Sequence, residues 1–280
     1  MTKRKKCATK ENMINENLDI RQILEWYIAA GVDAVCGDEP WQKCEKTHLT
    51  PPAPQPQTVN VAQKVEDARP ATTELAQATV AACQNARQIC AKVETLEELK
   101  KLVENFDGCA LKLTANKTVF GYGNPQAKLL LVGEAPGADE DRSGIPFVGR
   151  SGHLLDKMLA TIGVPRDECF VTNVLPWRPP GNRTPTEGEI AVCLPFLKRQ
   201  IELVKPDVIL ILGGSAANAL LDNGEPISKL RGKWLEFKTS DGVKIPVLAS
   251  FHPAYLLRNS GQKAKAWSDL LRTKQKLCEN

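Results

Sequence analysis

The chain has 280 residues, 42% apolar and 25% charged, which suits a soluble globular protein with a sizeable core and gives no stretch able to span a membrane. The basic start at Lys3 to Lys6 has no apolar run behind it, so no signal peptide is expected, and nine cysteines without a regular framework fit reduced thiols in a cytosol. The formal charge of +4 is uneven: Gly108 onward carries 23 Lys and Arg against 17 Asp and Glu, a basic excess that suits a polyanionic partner such as nucleic acid.

In chain order, Asp19 to Ala30 has the apolar spacing of one amphipathic helix (Ile20, Ile23, Leu24, Tyr27, Ile28), stopped at Gly31. From about Thr50 to Thr72 the chain turns rich in Pro, Gln, Ala and Thr and reads as a linker. Thr72 to Lys92 is an Ala-rich helix, and Thr95 to Phe106 is a second one, opened by a capping box between Thr95 and Glu98. Four segments follow from this: an N-terminal helical segment 1–49, a linker 50–72, a helical lead-in 73–107 and a main domain 108–280.

Beyond Gly108, short apolar runs alternate with helical periodicity. Strands are predicted at Lys128 to Val132, Cys169 to Val174, Asp207 to Leu212 and Ile245 to Ala249. Helices are predicted at Ser151 to Ile162, Glu187 to Val204 with a bend at Pro195, Ser215 to Leu221, and Ala264 to Leu277. The expected fold is α/β: three layers, α/β/α, around a central, mostly parallel four-stranded sheet, with an N-terminal helical appendage. In such sheets the functional loops follow the carboxyl ends of the strands, here Gly133 to Phe147, Asn173 to Arg183, Gly213 to Ser215 and Phe251 to Arg258.

The first of these loops has neither the glycine spacing of a dinucleotide site nor the Lys-Ser/Thr of a phosphate-binding loop. Its carboxylates, Glu134, Asp139, Glu140 and Asp141, would repel a phosphate and suit a neutral base or a positioned water. In the second, Asn173 offers one donor and one acceptor, the complement of a pyrimidine edge, while Arg178 and Arg183 suit backbone phosphates. The last combines His252, the rigid Pro253, the apolar Leu256 and Leu257, and the basic Arg258. All three should open on one edge of the sheet.

Several motifs stand together in order: Gly-Glu-Ala-Pro-Gly from Gly133 with Glu140-Asp141, Gly144-Ile-Pro-Phe-Val-Gly149, Thr172-Asn173, Arg178-Pro-Pro with Asn182-Arg183, Arg231-Gly-Lys-Trp234, and His252-Pro-Ala-Tyr-Leu-Leu-Arg258. From about Gly108 to Leu277 the chain resembles the family-4 uracil-DNA glycosylases. The resemblance implies a DNA repair enzyme of base excision, a hydrolase that takes a flipped uracil into a pocket at the sheet edge and leaves an abasic site. It implies that Phe147 stacks on the base, Asn173 reads its edge and rejects cytosine, and His252 faces the carbonyl oxygen that gains charge. Ala135 backbone and Glu140 complete the pocket, and Glu134 orients water and stabilises the cationic sugar. Arg178 and Arg183 are expected on DNA phosphates, and Leu256, Leu257 and Arg258 are candidates for the wedge that fills the gap in the duplex. No lysine in the motif loops suggests a Schiff base, so no strand cleavage is expected.

The family resemblance also brings an expectation of a 4Fe-4S cluster on four cysteines, and here the chain departs from it. Only Cys109 and Cys193 stand at ligand positions; Trp177 replaces a third, and Lys112 or Phe106 the fourth. Two thiolates do not hold such a cluster, so no cofactor or metal is expected. The expected partner is uracil-containing DNA, single- or double-stranded, for a cytoplasmic, nucleoid-associated monomer whose N-terminal segment is free to bind a protein partner. Two other readings stay open: a DNA-binding repair partner of the same fold without turnover, and a nucleoside-processing hydrolase.

Overall fold

The computed structural model describes residues 70–279, so the helix expected at 19–30 and the linker up to residue 69 lie outside the described residues. The chain opens with helix α1 (Pro70–Cys90), α2 (Leu96–Asn105) and a single turn, α3 (Leu111–Thr114). The capping box expected at α2 is formed: Glu98 N–H donates to Thr95 Oγ1 at 3.2 Å, and Thr95 N–H donates to Glu98 at 3.3 Å. Then follow β1 (Tyr122–Gly123), β2 (Leu129–Gly133), α4 (Ala138–Ser143), α5 (Arg150–Thr161) and β3 (Cys169–Asn173). The second half runs α6 (Glu187–Val204), β4 (Val208–Leu212), α7 (Gly214–Leu221), α8 (Ile227–Leu230), β5 (Trp234–Lys238), β6 (Lys244–Ser250), α9 (Pro253–Arg258) and α10 (Lys263–Glu279).

Among the described residues the sheet has six strands in the order β1-β3-β2-β4-β6-β5. The four expected strands form its parallel centre, and two antiparallel edges, β1 on β3 and β5 on β6, were not foreseen. The four-stranded expectation therefore needs correcting, for a physical reason. β1 is two residues long, and β5 alternates exposed and buried positions because one face meets solvent, so neither has the apolar run of a central strand.

The central strands are buried on both faces, and their two-residue period divides the core. Leu129, Leu131, Leu210 and Leu212 point into one layer with α5, α9 and α10. Leu130, Val132, Ile209 and Ile211 point into the other with α6 and α7. A third apolar cluster joins α1 and α2 to the outer face of α6, which runs unbroken through Pro195. Each fully buried leucine here stabilises the fold by roughly 1.5–3 kcal/mol relative to exposure. No helix among the described residues is long and apolar enough to cross a membrane.

Because β2, β3, β4 and β6 are parallel, their carboxyl ends share one edge; Gly133 pairs with Asn173 and Leu212 with Ser250. Two short helices replace what the sequence presents as loop there. α4, Ala138 followed by five polar residues, has no apolar periodicity, and α9 starts at Pro253 with His252 as its N-cap.

Candidate active site

At that edge lies a cleft of about 370 Å³, and Glu134, Ala135, Glu140, Phe147, Asn173 and His252 all line it. Ser151, Tyr255 and Arg258 complete the wall. Asn173 is the last residue of β3, 5% exposed, and its side-chain amide has no hydrogen-bond partner among the described residues, so donor and acceptor are both available. Gly133 ends the neighbouring strand. A Cβ there would sit 2.3 Å from Asn173 Oδ1 and 2.6 Å from Phe147 Cζ, so the bare glycine makes room for both groups.

Phe147 has φ +54, a left-handed backbone that costs a non-glycine residue of order 1–3 kcal/mol and persists only where its surroundings over-determine it. They do so from two sides. Glu140 accepts from the backbone N–H groups of Val148 at 3.0 Å and Gly149 at 2.9 Å with one oxygen, and from Gly137 at 3.1 Å with the other. Arg166 donates to the Phe147 carbonyl at 2.7 Å and also to the Pro146 carbonyl. Glu140 is thus spent on shaping the loop as well as lining the cleft.

His252 stacks on Phe147, ring centroids 5.6 Å apart and planes 28° from parallel. Its Nδ1 accepts from Ala254 N–H at 3.1 Å, which assigns the ring proton of the neutral form to Nε2. Burial, reinforced by the Arg258 charge and opposed by Glu140, pushes the imidazole down to about 4, so it is neutral near pH 7. The strand leading to it is anchored from below. Asp269 is fully buried, accepts from Ser250 Oγ at 2.8 Å and from Arg231 at 2.7 and 3.2 Å, and Arg231 lies 5.4 Å over the Phe251 ring.

The residues expected to meet DNA divide. Leu256 is fully buried in the core beneath α9, so it is not a wedge; the 3.6-residue period turns it inward while Leu257, 41% exposed, faces out. Arg258 is exposed at the cleft wall. Arg183 also lines the cleft, but its guanidinium forks onto Glu189 at 2.5 and 2.9 Å, which raises its own pKa and lowers that of Glu189. Arg178 braces its own loop, donating to Asn182 at 2.7 Å and lying 4.0 Å from the buried Asp141.

Several residues of the site carry no signal in the local pattern. Arg166 sits 19 positions from the carbonyl it holds, and Asp269 sits 38 positions from Arg231 and 19 from Ser250. Gly152 is similar: a Cβ there would fall 1.8 Å from the Phe147 oxygen.

Residues 120–271 match the model of the uracil DNA glycosylase superfamily. The chain is 40% identical over 173 residues to a type-4 uracil-DNA glycosylase of Thermotoga maritima, covering 61% of this chain and 88% of the relative. It is 38% identical to a type-4 enzyme of Pyrobaculum aerophilum, covering 62% of this chain and 91% of the relative, and 41% identical to one of Archaeoglobus fulgidus, covering 59% and 84%. The chain belongs to the type-4 uracil-DNA glycosylases.

For this type-4 chain the expected iron–sulfur position is filled by apolar packing. The Cys109 and Cys193 sulfurs lie 3.9 Å apart, and their hydrogen bond lowers the first thiol's pKa and, with burial, raises the second. Trp177, 1% exposed, packs beside them and donates its indole N–H to Thr118 at 3.1 Å. Phe106 occupies the same cluster, ring centroid 5.0 Å from Phe196, whereas Lys112 reaches outward to Asp107 at 2.7 Å. Of the two residues expected at the fourth position, Phe106 packs beside these cysteines and Lys112 does not belong to the apolar cluster. Burial pushes the Cys90 and Cys169 thiols up to about 12, and no three His, Cys, Asp or Glu among the described residues are grouped to hold a metal ion. These residues do not fit a four-thiolate cluster.

Proposed function

We propose that the protein hydrolyses the N-glycosidic bond of a uracil flipped out of DNA, leaving an abasic site, in base excision repair. The observation that carries this reading is the meeting of Glu134, Phe147, Asn173 and His252 around one cleft in a chain of the type-4 family. The Phe147 ring offers a stacking face. The unpaired Asn173 amide complements the N3–H and O4 of uracil, whereas cytosine presents an acceptor and an amine there and leaves both mismatched.

Chemistry follows from charge. As the N1–C1′ bond breaks, its electron pair stays with uracil and the sugar becomes oxocarbenium-like. His252, neutral with its proton on Nε2, is a donor for the uracil oxygen that gains that charge, a contribution of roughly 3 kcal/mol or about a hundredfold in rate. Glu134, on the cleft wall, stabilises the cationic sugar and orients the water that attacks C1′, whose proton passes to the carboxylate. No cluster takes part, and Trp177, Phe106 and their neighbours support the fold in its place. Leu257 and Arg258, at the outer rim, are proposed to fill the duplex gap and hold a phosphate.

The test is to incubate purified protein with single- and double-stranded oligonucleotides bearing one uracil, then treat with alkali. Scission at the uracil alone is expected. Binding without scission favours a repair partner that lacks turnover, and base release from free nucleosides favours a nucleoside hydrolase.

A further inference from the structure

Arg166 lies outside the motifs of the cleft, at the start of a short turn that leads into β3. Its guanidinium is committed in several directions at once. One nitrogen donates to the Phe147 carbonyl at 2.7 Å and to Asp156 on α5 at 2.9 Å; the other donates to the Pro146 carbonyl. Its face lies 5.9 Å over the Tyr122 ring on edge strand β1. The fork holds two successive carbonyls, which lie in the peptide planes on either side of the Phe147 Cα, and so fixes the orientation of one plane relative to the other as a single contact would not. The Phe147 carbonyl held this way faces Gly152, where any side chain would collide with it.

That relative orientation matters because Phe147, between the two planes, is a non-glycine residue at φ +54 whose ring stacks on His252. Releasing the carbonyl removes one of the two restraints on this left-handed backbone, Glu140 being the other, and with it part of the hold on the ring's place in the cleft wall. From this geometry we infer that Arg166 is a positioning residue, locking Phe147 in the conformation that presents its ring to the extruded base, with Asp156 orienting the guanidinium. The inference rests on the uracil-excision reading above. Arg166 acts through Phe147 and does not itself line the cleft.

A double-mutant cycle tests it, with single-turnover uracil release measured for wild type, Arg166→Met, Phe147→Ala and the double variant, all well below their melting temperatures. Arg166→Met is expected to lower the single-turnover rate constant about tenfold or more, with Phe147→Ala at least as low. The double variant is expected to match Phe147→Ala within about twofold, because the arginine has nothing left to position. Arg166→Lys, which keeps the charge toward Asp156 but not the fork, should recover part of the loss, and Asp156→Asn should show a smaller loss that also vanishes in the Phe147→Ala background. Losses that multiply in the double variants would overturn the proposal, as would an Arg166→Met protein that melts earlier yet excises at the wild-type rate. Should Arg166→Met fail to fold, the Asp156→Asn cycle decides by the same criterion. A wild type that releases no uracil would instead refute the excision reading.

Discussion

Gly133→Ala is a small change with a large expected effect. The added methyl would lie 2.3 Å from Asn173 Oδ1, 2.6 Å from Phe147 Cζ and 2.8 Å from Phe147 Cε2. To reach ordinary contact at 3.4 Å or more, the amide must retreat by about 1 Å and the ring by nearly as much. A misplacement of that size costs on the order of a hundredfold in rate, while overpacking costs the fold about 1–3 kcal/mol. The assay is single-turnover uracil release from an oligonucleotide, with thermal unfolding measured alongside. Gly261→Ala serves as control, since a methyl there meets nothing within 4 Å. A Gly133→Ala protein with wild-type kinetics would refute the idea that Asn173 and Phe147 form the base pocket.

Asn173→Asp replaces the amide donor with a carboxylate, and the ratio of uracil to cytosine release should fall; an unchanged ratio on paired substrates would remove Asn173 from base selection. For His252, ¹⁵N NMR should show a neutral ring protonated on Nε2 at pH 6 to 7, and a titration near 6.5 would contradict the burial argument. Because its folded pKa, about 4, lies below the unfolded value near 6.5, the neutral ring's contribution is complete above 6.5 and is lost as pH falls toward 4. Comparing wild type with His252→Gln by denaturant unfolding across that window should expose a pH slope worth about 3 kcal/mol at most, present only in the wild type. Trp177→Ala should cost about 3–5 kcal/mol through the cavity it leaves, and the wild-type protein should carry no stoichiometric iron by elemental analysis.

Much of the parallel centre was legible because a strand buried on both faces is an almost continuous apolar run, as in Leu129-Leu-Leu-Val132 and Val208-Ile-Leu-Ile-Leu212. The helix after Thr95 was legible for a local reason too, since Thr95 with Glu98 satisfies backbone donors three residues apart; the same device at Thr186 and Glu189 emerged only in the structure. Edge strands β1 and β5 were not, since pairing on one side and exposure on the other leave a mixed sequence. At the cleft, Glu134, Phe147, Asn173 and His252 stood out through motifs, but what holds them did not. Arg166, Gly152 and Asp269 act across gaps that only folding closes. Leu256 and Leu257, adjacent and chemically alike, were separable only once the helix phase fixed which one faces the core.

The most direct measurement is a crystal structure of the protein with its product base. Uracil is expected in the cleft, its ring flat against Phe147, one carbonyl oxygen within hydrogen-bond distance of His252 Nε2, and its N3–H and remaining oxygen on the Asn173 amide. Uracil bound elsewhere, or seated in the cleft away from Asn173 and His252, would contradict the assignment.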